Sequence, residues 1–333
     1  MDTAEHGSAE VLDPANGPFL GQFPTRSIDV PVSAVFLAIF LGFAATHIAI
    51  YVTNNIRKPT KHKFLPSILI FDFCLDRVLS CFFRILWACT GLRGFALGVL
   101  IVENGTVVLL TANLFFFQRT IRAMHPRIGW HPAFRVFVLT LIFTTIANVL
   151  VNIISLCVSF MSVGNNARVE VAEDIIKVAN GINMVLALTP LICIFIASAL
   201  PGPRPENFGI GPFRSKVALL VFSEICFAVG ATTRFASSVN MAAGRHGHPL
   251  FSRATFYTSA WTAELLVVIA YAVFRVDRLF HIPNGSKGPG DYSGGSNEKI
   301  GSGQGESSLD SQQRLFNLSM EQTSTQSSQT SFY

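Results

Sequence analysis

The sequence predicts an all-α membrane protein, a bundle of seven transmembrane helices with its N-terminus outside and its C-terminus in the cytoplasm. Half of the 333 residues are hydrophobic and only 14% are charged. The mean hydropathy of +0.46 is above that of a typical soluble chain. The apolar residues fall into seven stretches, and Lys and Arg concentrate in alternate connections between them.

Each apolar stretch is about long enough to cross a bilayer as one helix. About 20 residues are needed, because a helical residue rises about 1.5 Å, and a helix satisfies its own backbone polar groups. We expect any ligand chemistry within the bundle or its loops, since no length remains for a separate soluble domain. The predicted spans are residues 30–52, 64–90, 94–117, 136–160, 175–200, 217–240 and 254–274.

Polar segments flank the predicted bundle, which we assign to residues 30–283. Residues 1–29 carry early acidic side chains and lack the apolar core of a signal peptide. They predict a short extracellular or lumenal segment before an uncleaved first span. Residues 284–333 are rich in Gly, Ser, Gln and Thr, which predicts a disordered cytoplasmic tail.

Basic residues set the predicted orientation. The first, third and fifth loops hold most of the Lys and Arg of the connections, and short loops with this bias stay in the cytoplasm. The formal charge of +5 follows from the same bias, so no nucleic-acid partner is expected. The expected location is the plasma membrane, with an endomembrane as the alternative.

Ionisable residues inside the spans form the candidate site. Each costs about 2.5–3.5 kcal/mol in the bilayer unless it finds a partner or a wet cavity. The four in the second span lie within an arc of about 140°, which we expect to face the bundle interior. Their depths favour ion pairs of Arg77 or Arg84 with Glu103 or Glu264. The candidate intramembrane polar network is Asp72, Asp76, Arg77, Arg84, Glu103, Glu224 and Glu264.

Two interpretations of this network are open. Buried ion pairs would lock the packing of the helices. A polar cavity open to the outside would instead bind a ligand or substrate.

Other polar side chains also fall within the spans. Asn148 with Asn152, and Asn180 with Asn183, each share one helix face and predict hydrogen bonds between helices. All six cysteines lie in apolar segments. Two of them, Cys89 and Cys157, approach the outer boundary, and the sequence leaves open whether these two pair.

Several chemistries are excluded by missing residues. The last span offers Glu264 but no lysine for a retinal Schiff base, and His47 is the only histidine well within a span, too few for a zinc hydrolase. No GxxxxGK[ST] phosphate loop occurs. We therefore expect no enzyme, no catalytic residue, no cofactor and no metal.

Motifs at the predicted cytoplasmic ends resemble a fungal family of seven-span proteins, commonly labelled family-C-like G-protein-coupled receptors. The resemblance covers about residues 47–292 and implies a seven-span, receptor-like fold without established ligand residues. It departs from class C receptors in having no large extracellular domain, and Gln118-Arg119-Thr120 retains only the arginine of the Asp/Glu-Arg-Tyr motif. The motifs are Asn55-Ile-Arg-Lys, His62-Lys63-Phe64, Phe71-Asp72-Phe73-Cys74, Asp76-Arg77, Gln118-Arg119 to Gly129-Trp130, and Phe280-His281 to Asp291-Tyr292.

Three basic side chains near the end of the third span are candidates for coupling to the cytoplasm. We expect Arg119, Arg122 and His125 at the headgroup level, where cations contact anionic lipid or a cytoplasmic signalling partner. Simple anchoring in the membrane is the alternative.

The predicted function is that of a receptor-like protein, with possible G-protein-coupled signalling, which changes its helix packing on binding a ligand of unknown identity. The expected partners are membrane lipids and a cytoplasmic signalling protein. The alternative is a small transporter or lipid-handling protein, in which the charged face of the second span lines a pathway.

Overall fold

Apolar helices of bilayer length make up most of the fold. The computed structural model describes residues 13–57, 64–241, 244, 246–283 and 285–293. Its regular structure is helical throughout that part of the chain, which confirms the all-α prediction. The long helices are α1 (Asp29–Tyr51), α2 (Pro66–Thr90), α3 (Arg93–Val102), α4 (Thr106–Met124), α5 (Pro132–Met161), α6 (Asn166–Ala199), α7 (Phe213–Val239) and α8 (Arg253–Val273).

Six helical stretches of the described chain are long and apolar enough to cross a membrane. They are α1 with the turn that follows it, α3 together with α4, and each of α5, α6, α7 and α8. The chain is thus a multi-pass helical membrane protein. Helix α2 is also long enough, with 25 residues, but it carries four charged side chains and falls outside this set.

The long helices close into a ring around α4. Helix α1 packs along α2, α5 along α6 and α6 along α7, while α8 contacts both α7 and α1. Helix α4 contacts α2, α5, α6 and α7. Phe116 and Phe117 of α4 are fully buried, whereas Phe143 and Ile154 of α5 are more than half exposed on the outer surface. Apolar side chains on the outside and polar ones inside suit a bundle surrounded by lipid.

Two helices are locally irregular. The predicted third span is two helices, because the turn Glu103–Gly105 is a 3-10 helix between α3 and α4. Helix α8 contains a π-helical turn, Tyr257–Thr262, a feature that is frequent at functional sites. A Cβ atom on Gly105 would lie 1.8 Å from Oδ2 of Asp76, so only glycine lets that carboxylate of α2 approach the turn.

Residues 13–28, here the N-terminal cap, fold over the end of the bundle where α2 finishes. Asp13 pairs with Arg93 at 2.9 Å, and the ring of Phe19 packs edge-on against Trp87 at 5.2 Å. Gly21 has a φ of 86°, and a Cβ atom there would lie 2.7 Å from Phe256. Residues 13–28 of the predicted extracellular or lumenal segment are therefore bound to the bundle, while residues 1–12 lie outside the described part.

Residues 276–283 and 285–293, here the C-terminal cap, cross the opposite end of the bundle. Phe280 stacks on Phe116 at 4.7 Å, and Tyr292, only 2% exposed, packs against Trp130 and Phe208. Residues 285–293 were predicted to begin the disordered tail, and this boundary is wrong, because one large aromatic side chain fixes them to the bundle. The predicted tail from 294 to 333 lies outside the described residues.

Candidate functional site: an ion-pair network beside a cavity

Arg77 lies at the centre of the polar network and is fully buried. Its Nε and Nη2 donate to the two carboxylate oxygens of Glu264, at 2.6 and 2.9 Å, a bidentate geometry that is strong in a dry interior. Nη2 also donates to Thr106 at 2.7 Å. The predicted pairing of Arg77 with Glu264 is confirmed.

Glu103 is the second carboxylate of the network and lies in the turn between α3 and α4. One of its oxygens accepts from Ser80 at 2.6 Å and from Trp261 at 2.7 Å. The other accepts from Arg234 at 3.0 Å, and Arg77 lies 3.7 Å away. Two arginines and two glutamates from α2, the turn, α7 and α8 thus neutralise one another. Arg234, which was not among the candidate residues, is an integral member.

Arg84 does not join this network, so its predicted pairing with Glu103 or Glu264 is wrong. Its Nη2 donates to Asp29 at 2.8 Å, and Asp29 also accepts from Tyr257 at 2.7 Å and lies 3.1 Å from Arg253. Asp29 was assigned to the polar N-terminal segment and therefore missed. A signal was available, since an acidic residue in the first turn of a helix suits the helix dipole.

The remaining candidates differ in their surroundings. Asp72 is exposed, so the prediction that all four charges of α2 face inward is wrong for this residue. Asp76 is 25% exposed and lies 3.5 Å from Arg77. Glu224 is fully buried on α7 and takes no part in the ion pairs of the described residues. The inward face of α2 is centred on Arg77, and Asp72 lies about 140° away around the helix.

The asparagine prediction is confirmed between α5 and α6. Asn148 donates to Asn183 at 2.7 Å and Asn152 donates to Asn180 at 3.2 Å. All six cysteines are in the described residues and are free, so Cys89 and Cys157 do not pair.

A cavity of about 470 Å³ lies beneath the N-terminal cap. This volume falls in the range of small-molecule sites, about 300–1,000 Å³. Glu103 and Arg234 belong both to its wall and to the ion-pair network. Its aromatic lining is Phe19, Trp87, Phe160, Phe251 and Phe256, and its further polar lining includes Asn152, Lys177 and Asn180.

At the opposite end, the three candidate coupling residues contact the protein's own chain. Arg119 donates to the backbone carbonyl oxygen of Phe280 at 2.6 Å. Arg122 donates to the carbonyl oxygen of Gly129 at 3.2 Å. A ring nitrogen of His125 lies 2.7 Å from the carbonyl oxygen of Ala197. Arg119 therefore holds the C-terminal cap. Other cations at this end are exposed, among them Arg127, Arg135, Arg204, Arg214 and Arg278.

Asp277 anchors the start of the C-terminal cap. Its carboxylate is 1% exposed and accepts from Arg275 at 2.9 and 3.0 Å and from Asn54 at 2.8 Å. Burial by itself would raise the pKa of Asp277, but these hydrogen bonds to the charged form outweigh it and lower the pKa. Within the same cap, burial raises the pKa of Tyr292.

The comparisons with known proteins give no family. No family model matches the chain, and neither a curated protein nor a solved structure matches it. The protein is a multi-pass helical membrane protein. The resemblance to fungal seven-span proteins stays a prediction, resting on the motifs quoted above.

Proposed function

We propose that this membrane protein is a seven-span, receptor-like protein that binds a ligand in the cavity beneath the N-terminal cap. Helix α2 is the seventh span, since three of its four charged side chains, Asp76, Arg77 and Arg84, are engaged in ion pairs. The Lys and Arg bias of the loops puts the N-terminal cap outside and the C-terminal cap in the cytoplasm. The observation that carries the proposal is that Glu103 and Arg234 belong to both the cavity wall and the network.

In this proposal, ligand binding in the cavity changes the structure of the cytoplasmic end through the Glu103–Arg234 pair. A ligand that takes hydrogen bonds from Arg234 weakens its hold on Glu103, which accepts from Trp261 in the π-helical turn of α8. Helix α8 leads directly into Arg275 and the C-terminal cap. Two helix arrangements with different ligand affinity are all that such coupling requires.

The expected readout is release of the C-terminal cap to a cytoplasmic signalling partner. Arg119 binds the cap through Phe280, and this contact closes the end that faces the cytoplasm in the proposed orientation. The motif resemblance supports a partner of the G-protein type, and the plasma membrane as the location. Exposed arginines around this end are suited to contact anionic membrane lipids.

Hydrogen exchange on the full-length protein in lipid nanodiscs tests the coupling. Arg234→Gln removes charge from the shared pair, and we expect faster exchange in residues 276–283 and 285–293 than in the wild type. Asp174→Asn, an exposed change on α6, is the matched control and should leave exchange unaltered. General loosening is monitored at residues 148–152 of α5, which are hydrogen-bonded to α6. Unchanged exchange in the C-terminal cap of Arg234→Gln would overturn the receptor proposal.

A transporter is the second candidate, favoured by the broken third span. Discontinuous helices near polar residues are typical of transporter sites, and Asp76 lies at the break, partly exposed and beside Arg77. Ion or lipid flux in liposomes without any added partner, abolished by Asp76→Asn and insensitive to Arg119→Ala, would establish this alternative.

A further inference from the structure

We propose that the cavity takes an amphipathic anion, a molecule with an apolar body and one carboxylate or phosphate head, and that the head binds between Lys177 and Arg234. The inference rests on the proposed function only in taking this cavity as the ligand site. It follows from counting which hydrogen-bonding groups of the wall are already used and which are not.

The acidic groups of the wall are used by the protein itself. Asp13 pairs with Arg93 at 2.9 Å and accepts from the backbone of Ala15 at 2.9 Å. Glu103 accepts from Ser80, Trp261 and Arg234. Glu173 also has a partner. A cationic head would therefore have to share a carboxylate that already has a partner.

The basic groups of the α6–α7 wall retain donors. A lysine has three N–H donors and an arginine has five. Lys177 pairs with Asp174 at 2.8 Å, and the Asp174 side chain is 73% exposed, so this partner lies in solvent rather than in the cavity. Arg234 makes three hydrogen bonds, two to Glu103 and one to Thr106. The wall thus offers N–H donors on both Lys177 and Arg234, whereas its carboxylates already have partners.

The rest of the wall suits an apolar body. Phe19 of the N-terminal cap packs against Trp87, and Phe160, Phe251 and Phe256 complete the aromatic lining. Burial of apolar surface supplies affinity without direction, whereas charge-assisted hydrogen bonds at one end fix the orientation. An anionic head on an apolar body satisfies both parts of the cavity at once.

The test uses four probes that share one alkyl chain: dodecanoate, dodecyl phosphate, dodecanol and dodecyltrimethylammonium. The full-length protein is held in phosphatidylcholine nanodiscs, and binding is followed by the fluorescence of tryptophan, since Trp87 lines the cavity. We expect both anions to bind at least about tenfold more tightly than dodecanol, the effect of a charge-assisted hydrogen bond. Equal affinity for dodecanol, or tighter binding of the cation, would overturn the proposal.

Two variants test whether the anionic head of the ligand binds at Lys177. Lys177→Gln is expected to weaken dodecanoate binding about tenfold and to leave dodecanol unchanged. Asp174→Asn removes the solvent-exposed partner of Lys177 and should bind dodecanoate at least as tightly as the wild type. Anion binding that is indifferent to Lys177→Gln would contradict the assigned head position.

A competition experiment distinguishes two possible sources of the anionic ligand, a membrane lipid and a soluble molecule. Competition by phosphatidic acid in the nanodisc would identify a membrane lipid as the source, and competition by free acids alone would identify a soluble ligand. Both results support the anionic head. The cap-exchange experiment on Arg234→Gln involves no probe, so coupling can hold while the anion proposal fails, and the reverse.

Discussion

Arg77 is the residue on which the interior of the bundle depends most. It is fully buried, it donates two bonds to Glu264 and one to Thr106, and it stacks over Phe73 at 5.1 Å. A buried ion pair adds little net stability relative to a well-packed apolar pair. Removal of one partner is costly, however, because the other charge is left uncompensated.

We therefore predict that Arg77→Leu lowers stability by about 3–5 kcal/mol, because Glu264 loses its bidentate partner. The measurement is thermal unfolding of the purified protein, together with the amount recovered from membranes. Asp72→Asn is the matched control, since Asp72 lies on the same helix but is exposed, and it should unfold like the wild type. Wild-type unfolding of Arg77→Leu would show that the pair contributes nothing to the fold.

Gly105 gives a second prediction at this scale. A Cβ atom there would meet Oδ2 of Asp76 at 1.8 Å, so Gly105→Ala must push the carboxylate away from Arg77. We predict a loss of about 1–3 kcal/mol that is not additive with Asp76→Ala, since the double variant has no carboxylate to displace. Thermal unfolding of the wild type, both single variants and the double variant completes a double-mutant cycle, which measures the interaction between the two residues.

The control for this prediction is Gly42→Ala in α1. A Cβ atom on Gly42 has open space, and alanine favours a helix by about 1 kcal/mol over glycine, so this variant should be as stable as the wild type or more so. Additive effects of Gly105→Ala and Asp76→Ala would mean that the two residues do not interact.

At the scale of the element, α8 links three features of the bundle. It carries Glu264 in the network, the π-helical turn Tyr257–Thr262, and at its end the Arg275–Asp277 pair. The hydrogen bonds of Asp277 connect this end to Asn54 after α1, so α1, α8 and the C-terminal cap are joined at one point.

This junction predicts a dependence of stability on pH. The pKa of Asp277 is lowered in the folded protein, so its contribution is present above the unfolded value, about 3.9, and is lost as the pH falls through the folded value. We predict that Asp277→Asn unfolds at a lower temperature than the wild type at neutral pH and that this difference shrinks on acidification. Thermal unfolding measured across this pH range in the same detergent tests it.

Asp174→Asn serves as the control here, because Asp174 is exposed and its partner Lys177 lies on the same helix. It should follow the wild type at every pH. A constant difference between Asp277→Asn and the wild type across the acid range would contradict the assigned charge on Asp277.

The elements were predictable where hydropathy decides them. The stretch 136–160 became α5, Pro132–Met161, because long apolar runs have one stable form in a bilayer. The break at Glu103–Gly105 and the π-helical turn were not predicted, since they depend on contacts with other helices rather than on local composition. Trp261 could have been found, because it lies three residues before Glu264 and so shares its helix face.

The two caps were missed for a related reason. Both have the Gly, Pro and Ser content of loops, and composition averages over a segment. Their attachment depends on single large side chains, Phe19 against Trp87 at one end and Tyr292 against Trp130 at the other. Asp29 was missed because a charged residue at the edge of an apolar run was assigned to the polar segment before the first span.

At the scale of the whole molecule, the proposed orientation places the caps on opposite sides of the membrane. Epitope tags after Met1 and before Tyr333 should behave oppositely in intact cells, the first accessible to antibody and the second only after permeabilisation, because the proposed topology puts seven crossings between them. Detection of both tags on one side would mean an even number of crossings and would exclude α2 as a span in the proposed topology.

The partners of α2 also constrain the order in which the chain can assemble. Asp29 is translated before Arg84 and can neutralise it as soon as α2 leaves the ribosome, whereas both oxygens that hold Arg77 belong to Glu264, in the last helix to be made. Throughout synthesis, Arg77 therefore waits without its bidentate partner. A chain that stops before residue 253 leaves that arginine permanently without this partner, so the last helix completes the charge balance of the second.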